Sequence, residues 1–155
     1  MLNIEHFRLY VVRPTLEYLA PEIPYSIEAE NLLVATAVHE SKLTYLVQHD
    51  DGPARGVFQI EPTTAQDNWT NFLAFNKSLR EKVENLSGLR HLDLIANFPY
   101  QVAHARIKYV RDPEPLPAAA DVIGQARYWK RVYNTHLGKG SVVKFIKDYP
   151  EEILL

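Results

Sequence analysis

The chain has 155 residues, of which 46% are hydrophobic and 23% are charged; this balance is typical of one folded globular domain and excludes a disordered or fibrous protein. Seventeen Lys and Arg against nineteen Asp and Glu give a net charge of -2, which offers no overall electrostatic attraction for nucleic acid. The chain has no cysteine, so disulfides, thiol catalysis and thiolate metal sites are excluded.

The charge is unevenly distributed along the chain. Residues 1–70 hold four basic and ten acidic side chains, a net charge of -6, whereas residues 99–148 hold nine basic and four acidic ones, a net charge of +5. A basic segment of this kind indicates either contact with an anionic polymer or ordinary solvated helix faces. The sequence leaves both interpretations open.

The N-terminal segment predicts neither a secretion signal nor a membrane anchor. Glu5 and His6 stand where a signal peptide has a cationic region followed by an unbroken apolar one. The apolar run over residues 32–38 is far shorter than the ~20 residues that a membrane-spanning helix needs. We therefore expect a protein without a signal peptide and without a membrane span.

Hydrophobic spacing predicts that the first part of the chain is helical. The first helix is expected over residues 3–20, kinked or split at Pro14. Ser26 is a suitable N-cap for a second helix that runs to about Glu40. Its residues 32–38 are apolar on all sides, which is typical of a helix at the centre of a fold.

The pattern changes after this second helix. Alternating residues over 43–47, a turn cluster over 49–53 and an apolar run over 57–60 predict a small irregular β-hairpin. Helical spacing then returns, and helices are expected over about 63–75, 77–86, 88–97, 99–111, 118–136 and 141–149. Residues 112–117, DPEPLP, predict a proline-stiffened loop. The expected fold class is a single, mainly α domain over residues 1–155, with one small β-hairpin.

Glu40 is the strongest candidate for a chemical role. The residues before it are apolar or small, and desolvation by such neighbours raises the pKa of a carboxylic acid until it can donate a proton near neutral pH. Further along, Gly56 lets another backbone or a sugar approach closely, and Gln59 can hydrogen-bond to hydroxyl and N-acetyl groups. These segments together predict a carbohydrate cleft beside Glu40.

Four short motifs follow one another along the chain, at residues 40–41 (ES), 54–60 (ARGVFQI), 62–65 (PTTA) and 133–140 (YNTHLGKG). Their order and approximate spacing resemble the E-S, G-L-M-Q-I, P-x-T-A and Y-N-A-G-x-G motifs of the lysozyme-like soluble lytic transglycosylase family. The likeness covers residues 31–65 well and residues 125–146 loosely.

This resemblance implies a lysozyme-like fold that cleaves the β-1,4 bond between N-acetylmuramic acid and N-acetylglucosamine in peptidoglycan. It implies that Glu40 protonates the leaving oxygen and that no metal or organic cofactor takes part. The residues that the resemblance gives as candidates for binding the glycan strand are Ser41, Gly56, Phe58, Gln59, Tyr133 and Asn134.

One departure from the family pattern leaves the type of reaction open, because Asp50 stands where the family has a serine. A transglycosylase uses one glutamate as acid and then as base while the muramic 6-hydroxyl attacks, which gives an anhydro sugar. A hydrolase commonly uses a second carboxylate. Asp50 and Asp51 are the candidates for that group, although both also suit a turn beside Gly52.

Other side chains allow two interpretations. Trp69, Tyr128 and Trp129 can stack on sugar faces, but their helical spacing favours positions in the core. The six histidines lack metal-ligand spacing, so zinc is not expected. His39 can hydrogen-bond within the cleft, or it can be a packed or exposed side chain.

We expect a peptidoglycan-cleaving glycosidase, either a lytic transglycosylase or a muramidase, that acts on glycan strands and not on nucleic acid. The resemblance also implies an origin: with its small size and without cysteine or signal peptide, such an enzyme suits a bacteriophage protein that is virion-associated or made in the host cytoplasm and acts on the cell wall. Two alternatives stay open. One is a non-catalytic wall-binding or virion structural protein that keeps the lysozyme-like scaffold, and the other is a helical nucleic-acid binder that uses the basic residues 99–148. The sequence predicts no oligomeric state.

Overall fold

The computed structural model describes residues 1–135 and 138–154, and most of these are helical. In chain order the α-helices are α1 (Ile4–Phe7), α2 (Arg13–Leu19), α3 (Ile27–Ser41), α4 (Pro62–Asn71), α5 (Lys77–Leu86), α6 (Asp93–Ala96), α7 (Phe98–Val110), α8 (Val122–Tyr128) and α9 (Val142–Asp148). Further helical segments are π-helical (Arg8–Val12 and Trp129–Asn134) or 3-10 (His49–Asp51, Leu73–Phe75, Arg90–Leu92 and Glu151–Leu154). The expected mainly α fold class is confirmed.

Residues 4–19 form a helical segment that changes its pitch ahead of Pro14. Proline lacks a backbone N–H and its ring crowds the carbonyl four residues earlier, so an α-helix cannot pass through it unchanged. The chain adopts the π-helical turn of Arg8–Val12, after which Pro14 lies in the first turn of α2. The predicted interruption of the first helix is therefore present.

Helix α3 runs through the centre of the fold, as its apolar sequence predicts. The Ser26 side chain caps the helix by accepting a hydrogen bond from the Ala29 N–H at 3.1 Å. Leu33 in its middle is fully buried, and the helix packs against α7 and α9. The helix ends where Lys42 takes a left-handed conformation with φ 56°. This abrupt end leaves Glu40 in the last turn, at the edge of the core.

The β-hairpin expected after α3 is not confirmed. In the part of the chain that the structure describes, β pairing is limited to isolated bridges that join Val47 to Arg55 and Arg55 to Ile60. The physical reason is that several residues of this stretch have positive φ angles, which interrupt an extended strand: Lys42, Leu43, Asp50, Asp51, Gly56 and Gln59. The segment is an irregular loop with a 3-10 turn at its tip.

Helix α7 lies against α3 and provides the other side of the site. Pro99 occupies its first turn, and the Asn97 side chain caps it by accepting a hydrogen bond from the Tyr100 N–H at 3.2 Å. Every residue from 101 to 107 is buried. Lys108 follows as a half-buried residue, and its side chain reaches the space beside Glu40.

The helix predicted over residues 118–136 begins later, at Val122. The Asp121 side chain caps α8 by accepting a hydrogen bond from a backbone N–H at 2.9 Å, so the cap sets the start of the helix. Beyond α8 the chain continues as a π-helix to Asn134. The predicted last residue, His136, lies outside the described residues.

The buried apolar side chains form a large cluster around α3 and a smaller one between α2, α5 and α7. Bulky members of the large cluster are Phe7, Phe58, Trp129 and Phe145, and those of the smaller cluster are Leu19, Leu73, Leu79 and Ile107. The large cluster fixes the end of α3 against α7 and the π-helix. None of the helices that the structure describes is both long and apolar enough to cross a membrane.

Candidate active site

A cleft of about 480 Å³ opens beside the C-terminal end of α3. It is lined by Glu40, Gln48, Ala54, Gln59, Glu61, Thr64, Lys108, Tyr133, Asn134, Thr135 and Gly138. Most of these side chains are polar, and the size is within the range of small-molecule binding sites. The cleft brings together Glu40, Gln59, Tyr133 and Asn134 from the residues singled out in the sequence.

Glu40 lies at the boundary between this cleft and the apolar core. Burial raises the pKa of its carboxyl to about 7, although a hydrogen bond from Trp129 and the positive charge of Lys108 both act to lower it. The indole Nε1 of Trp129 donates to Glu40 Oε1 at 3.2 Å. Near neutral pH a substantial fraction of Glu40 is therefore protonated, and the fixed indole orients its carboxyl group.

The indole of Trp129 is itself held from behind. The His39 ring packs edge-on against it with ring centroids 4.6 Å apart, and Phe145 stacks on it at 5.0 Å. His39 Nδ1 lies 2.8 Å from Asp148 Oδ2, to which it donates, and burial lowers the pKa of His39 although Asp148 acts to raise it. His39 thus lies behind the cleft and positions Trp129.

Tyr133 and Lys108 form the wall next to Glu40. The Tyr133 hydroxyl donates to the Phe58 carbonyl at 2.6 Å, and its ring stacks on Tyr109 with centroids 5.2 Å apart. Lys108 Nζ donates to the Tyr133 carbonyl at 2.6 Å and lies 4.3 Å from the centre of its ring. Burial lowers the pKa of Lys108, whereas the charges of Glu40 and Glu61 act to raise it. These contacts place a cation within the field of the acid.

Gln59 faces the cleft from the opposite, irregular wall. Its φ is 50°, and its Nε2 donates to the Gly56 carbonyl at 2.9 Å, so the side chain folds back on its own turn. Gly56 itself lies under this wall. A Cβ there would come within 2.2 Å of the Leu94 carbonyl oxygen and 2.3 Å of Gln101 Oε1. The space beside Gly56 is therefore occupied by protein atoms of Leu94 and Gln101 and not left open for a sugar.

The loop after the π-helix closes the end of the cleft. Lys130 Nζ donates to Asn134 Oδ1 at 2.7 Å and to the Gly138 carbonyl at 3.0 Å. A Cβ on Gly140 would lie 2.6 Å from the Trp129 ring, so the chain passes close to the indole. Compared with the family motif Y-N-A-G-x-G, residues 133–140 (YNTHLGKG) contain two extra residues, His136 and Leu137, and these lie outside the described residues.

Asp50 and Asp51 are not among the cleft residues. Both are exposed, and both have positive φ angles in the 3-10 turn His49–Asp51. Short polar side chains tolerate this conformation because they hydrogen-bond locally, which is the turn-forming alternative stated for them above. Neither carboxylate therefore lies beside Glu40 in this conformation.

Ser41 and Phe58, two of the candidates for binding the glycan strand, are buried in the core. Ser41 Oγ donates to the Ala37 carbonyl at 3.0 Å and accepts from the Leu43 N–H at 3.2 Å, which stabilises the end of α3. Phe58 has no exposed surface and packs beside Phe7. Both side chains support the walls of the cleft from within and do not line it.

Sequence reasoning missed Glu61 and Lys108 as cleft residues. Glu61 precedes the proline that starts α4, and nothing in the local pattern distinguishes it from an ordinary residue at a helix start. Lys108 lies near the C-terminal end of α7, and the apolar pattern of this helix does not show which segment packs next to that end. Their positions depend on packing between distant segments; the one available hint was that Glu61 directly follows the motif residues Gln59 and Ile60.

Four of the nine basic side chains of residues 99–148 are bonded to other protein groups. Arg111 pairs with Asp67 at 2.8 Å, and Arg131 pairs with Asp112 at 2.9 Å. Lys108 and Lys130 bond to carbonyls at the cleft, as described above. The arrangement gives no specific support to nucleic-acid binding.

Comparisons of the chain with protein-family models, curated proteins and solved structures gave no significant match. Within residues 1–135 and 138–154, His, Asp and Glu side chains do not form a group of three or more able to hold a metal ion. The chemical interpretation of the cleft therefore depends on its own residues.

Proposed function

We propose that the protein is a peptidoglycan-cleaving glycosidase with a lysozyme-like fold, in which Glu40 is the general acid. The observation that carries this proposal is the burial of Glu40 at the base of a polar cleft, which brings its pKa to about 7. An acid of this strength donates a proton efficiently to a leaving oxygen near neutral pH. The four motifs in family order support the same assignment.

The geometry gives each nearby group a role in the first step. Trp129 holds Oε1 of Glu40, and Oε2 accepts no hydrogen bond from a residue that the structure describes, so Oε2 is the oxygen that donates to the glycosidic bond. As the bond breaks, positive charge develops on the sugar ring and Glu40 becomes a carboxylate. Lys108 then stabilises that carboxylate electrostatically.

The amides in the cleft suit an N-acetylated sugar. Gln48, Gln59 and Asn134 line the cleft, and each amide keeps hydrogen-bonding capacity beyond the bond that it makes within the protein. N-acetyl and hydroxyl groups require both donors and acceptors. Lys108 also gives the cleft a cation that can attract a carboxylate such as that of the lactyl group of N-acetylmuramic acid. These features favour the glycan of peptidoglycan over a neutral glycan.

Two completions of the reaction are compatible with the cleft. In the first, Glu40 takes the proton from the muramic 6-hydroxyl, and the product is an anhydro sugar. In the second, Glu61 activates a water molecule, since Glu61 is the second carboxylate among the described lining residues. This role replaces the one considered for Asp50 and Asp51, which do not line the cleft.

Mass spectrometry of purified peptidoglycan after digestion tests whether the protein cleaves the glycan and which of the two second steps completes the reaction. Soluble muropeptides from the wild-type protein support the proposal, and anhydro and reducing ends differ in mass by one water. Glu61→Gln should abolish products with reducing ends but leave anhydro products nearly unchanged. Wall binding without release of any soluble muropeptide would overturn the proposed activity and favour a non-catalytic wall-binding or virion structural protein.

A further inference from the structure

Arg106 is a buried cation without a protein partner in the described residues. It lies in the middle of α7 with 6% of its surface exposed. Its Nε is buried and has no hydrogen-bond partner, and its guanidinium makes no hydrogen bond or ion pair with any residue that the structure describes. The aromatic hydroxyl of Tyr128 is the group whose field acts on it.

Two other arginines that pack against the fold, Arg13 and Arg8, do have carboxylate partners. Arg13 donates from two nitrogens to Glu30, at 2.7 and 2.9 Å, and Arg8, whose Nε is also unpaired, donates from Nη2 to Glu5 at 2.8 Å. Arginine does not lose its proton in proteins, so burial cannot neutralise Arg106. A cation that is largely buried and whose Nε has no partner remains available to an anionic ligand, which indicates an anion-binding role for Arg106.

Arg106 lines a pocket of about 330 Å³ on the side of α7 away from the cleft. Lys108, two positions further along the helix, lines the cleft, and residues two apart on an α-helix point in different directions. The other residues that line this pocket are Tyr109, Val110, Asp112, Pro113, Glu114, Pro115, Leu116 and Tyr128. The proline-stiffened loop 112–117 therefore forms one wall.

The walls of this pocket, named here the Arg106 pocket, limit the chemistry of the ligand. The prolines, Leu116 and the Tyr128 ring contribute apolar surface to the lining, beside its polar and charged groups. The rim carries Asp112 and Glu114, and both are paired with Arg131 at 2.9 Å, so the rim has a net charge of -1. Such a rim disfavours a dianion more than a monoanion, and the apolar part of the lining gives the body of the ligand a surface to pack on.

We propose that the Arg106 pocket binds a small monocarboxylate with an apolar body, about the size of an N-acylated amino acid. The planar fork of the guanidinium matches a carboxylate in a two-point contact. The apolar body of the ligand lies against the proline loop. The proposal does not depend on the chemistry of the cleft on the other side of α7.

Thermal unfolding with N-acetyl-leucine as the probe tests this site, and N-acetyl-leucinamide is the matched neutral compound. The carboxylate should raise the melting temperature by roughly 5 °C at about one hundred times its dissociation constant, and the amide should leave it unchanged. Isothermal titration should show one site per chain. Inorganic phosphate should give a smaller shift, and an equal shift with phosphate would overturn the monocarboxylate assignment.

Arg106→Met separates the site from general effects of the ligand. Without ligand, this variant should melt roughly 3 °C or more above wild type, because an unpaired buried charge is replaced by an apolar group of similar length. It should show no shift with N-acetyl-leucine, whereas Arg127→Met, which changes an exposed arginine on α8, should respond as wild type does. Equal responses of wild type and Arg106→Met, or equal responses to carboxylate and amide, would overturn the proposal.

Discussion

The end of α3 and the turn ten residues later both carry carboxylates, yet their surroundings differ in every respect that matters for catalysis. Glu40 is desolvated, accepts a hydrogen bond from a fixed indole and faces a cleft. Asp50 and Asp51 are exposed in a left-handed turn outside the lining of that cleft. Proximity in sequence to the same motifs is therefore not enough to make a carboxylate an acid catalyst.

The difference arises because the environment of Glu40 is built by distant segments. Trp129 donates to it from 89 positions away, and Lys108 reaches it from α7. The contacts of the turn at His49–Asp51 come from residues close to it in the sequence, such as Gln48 and Arg55. A substitution in the first region should therefore change chemistry and stability together, and one in the turn should change neither.

Gly56→Ala should have the largest effect on stability. The φ of Gly56 is 76°, and a Cβ would come within 2.2 Å of the Leu94 carbonyl, which is backbone that cannot move aside cheaply. We expect a loss of about 3 kcal/mol or more in the free energy of unfolding, measured by urea denaturation. Unchanged stability with a raised KM would show instead that the space at Gly56 admits a sugar.

Glu40→Gln should stabilise the protein at high pH. The pKa of Glu40 is about 7 in the fold against an ordinary value of 4.5, so the fold loses stability as pH rises from 4.5 through 7. Glutamine removes that cost, and the gain should reach roughly 3 kcal/mol above pH 7 and vanish below pH 4.5. Denaturation curves across this range measure it. Asp50→Asn removes an exposed carboxylate and is the matched control for the loss of one negative charge. A pH-independent difference for Glu40→Gln would contradict burial of its carboxyl.

Trp129→Phe should have a moderate effect on activity. It keeps an aromatic ring stacked on Phe145 but removes the indole N–H that donates to Glu40 Oε1. Because that hydrogen bond lowers the pKa of Glu40, its loss should raise this pKa. We expect about a tenfold loss of rate and an alkaline limb of the pH profile that moves to higher pH. The release of soluble muropeptides at a series of pH values measures both. A lower rate with an unmoved limb would indicate only a packing defect.

The double change Asp50→Asn with Asp51→Asn should have the smallest effect. Asparagine keeps the left-handed turn, and neither side chain lines the cleft. The rate and the product masses should stay within about twofold of wild type. A large loss of reducing-end products alone would mean that one of these carboxylates reaches the cleft in the complex with substrate.

Sequence reasoning predicted the parts of the fold that local signals determine. Ser26 caps α3, and Lys77–Leu86 has the bounds that its helical spacing indicates. The predicted hairpin is not confirmed, because positive φ angles at non-glycine residues such as Gln59 interrupt the extended backbone and leave no clear local pattern in the sequence.

Part of the cleft lining could be predicted from the sequence. Glu40, Gln59, Tyr133 and Asn134 were singled out by the ordered motifs in which they stand, and all four line the cleft. Lys108 was not found, because its role depends on how α7 packs beside Glu40. The contacts between α7, α3 and the π-helix thus determine which additional side chains lie beside Glu40, and the motifs alone do not show this.

The most direct test of the central claim is the rate of soluble muropeptide release from purified peptidoglycan, measured against pH for wild type and Glu40→Gln. We predict that the wild-type rate falls as pH rises through about 7, where Glu40 loses its proton, and that Glu40→Gln is at least about a thousandfold slower while still folded. A folded Glu40→Gln protein that keeps the wild-type rate would contradict the account.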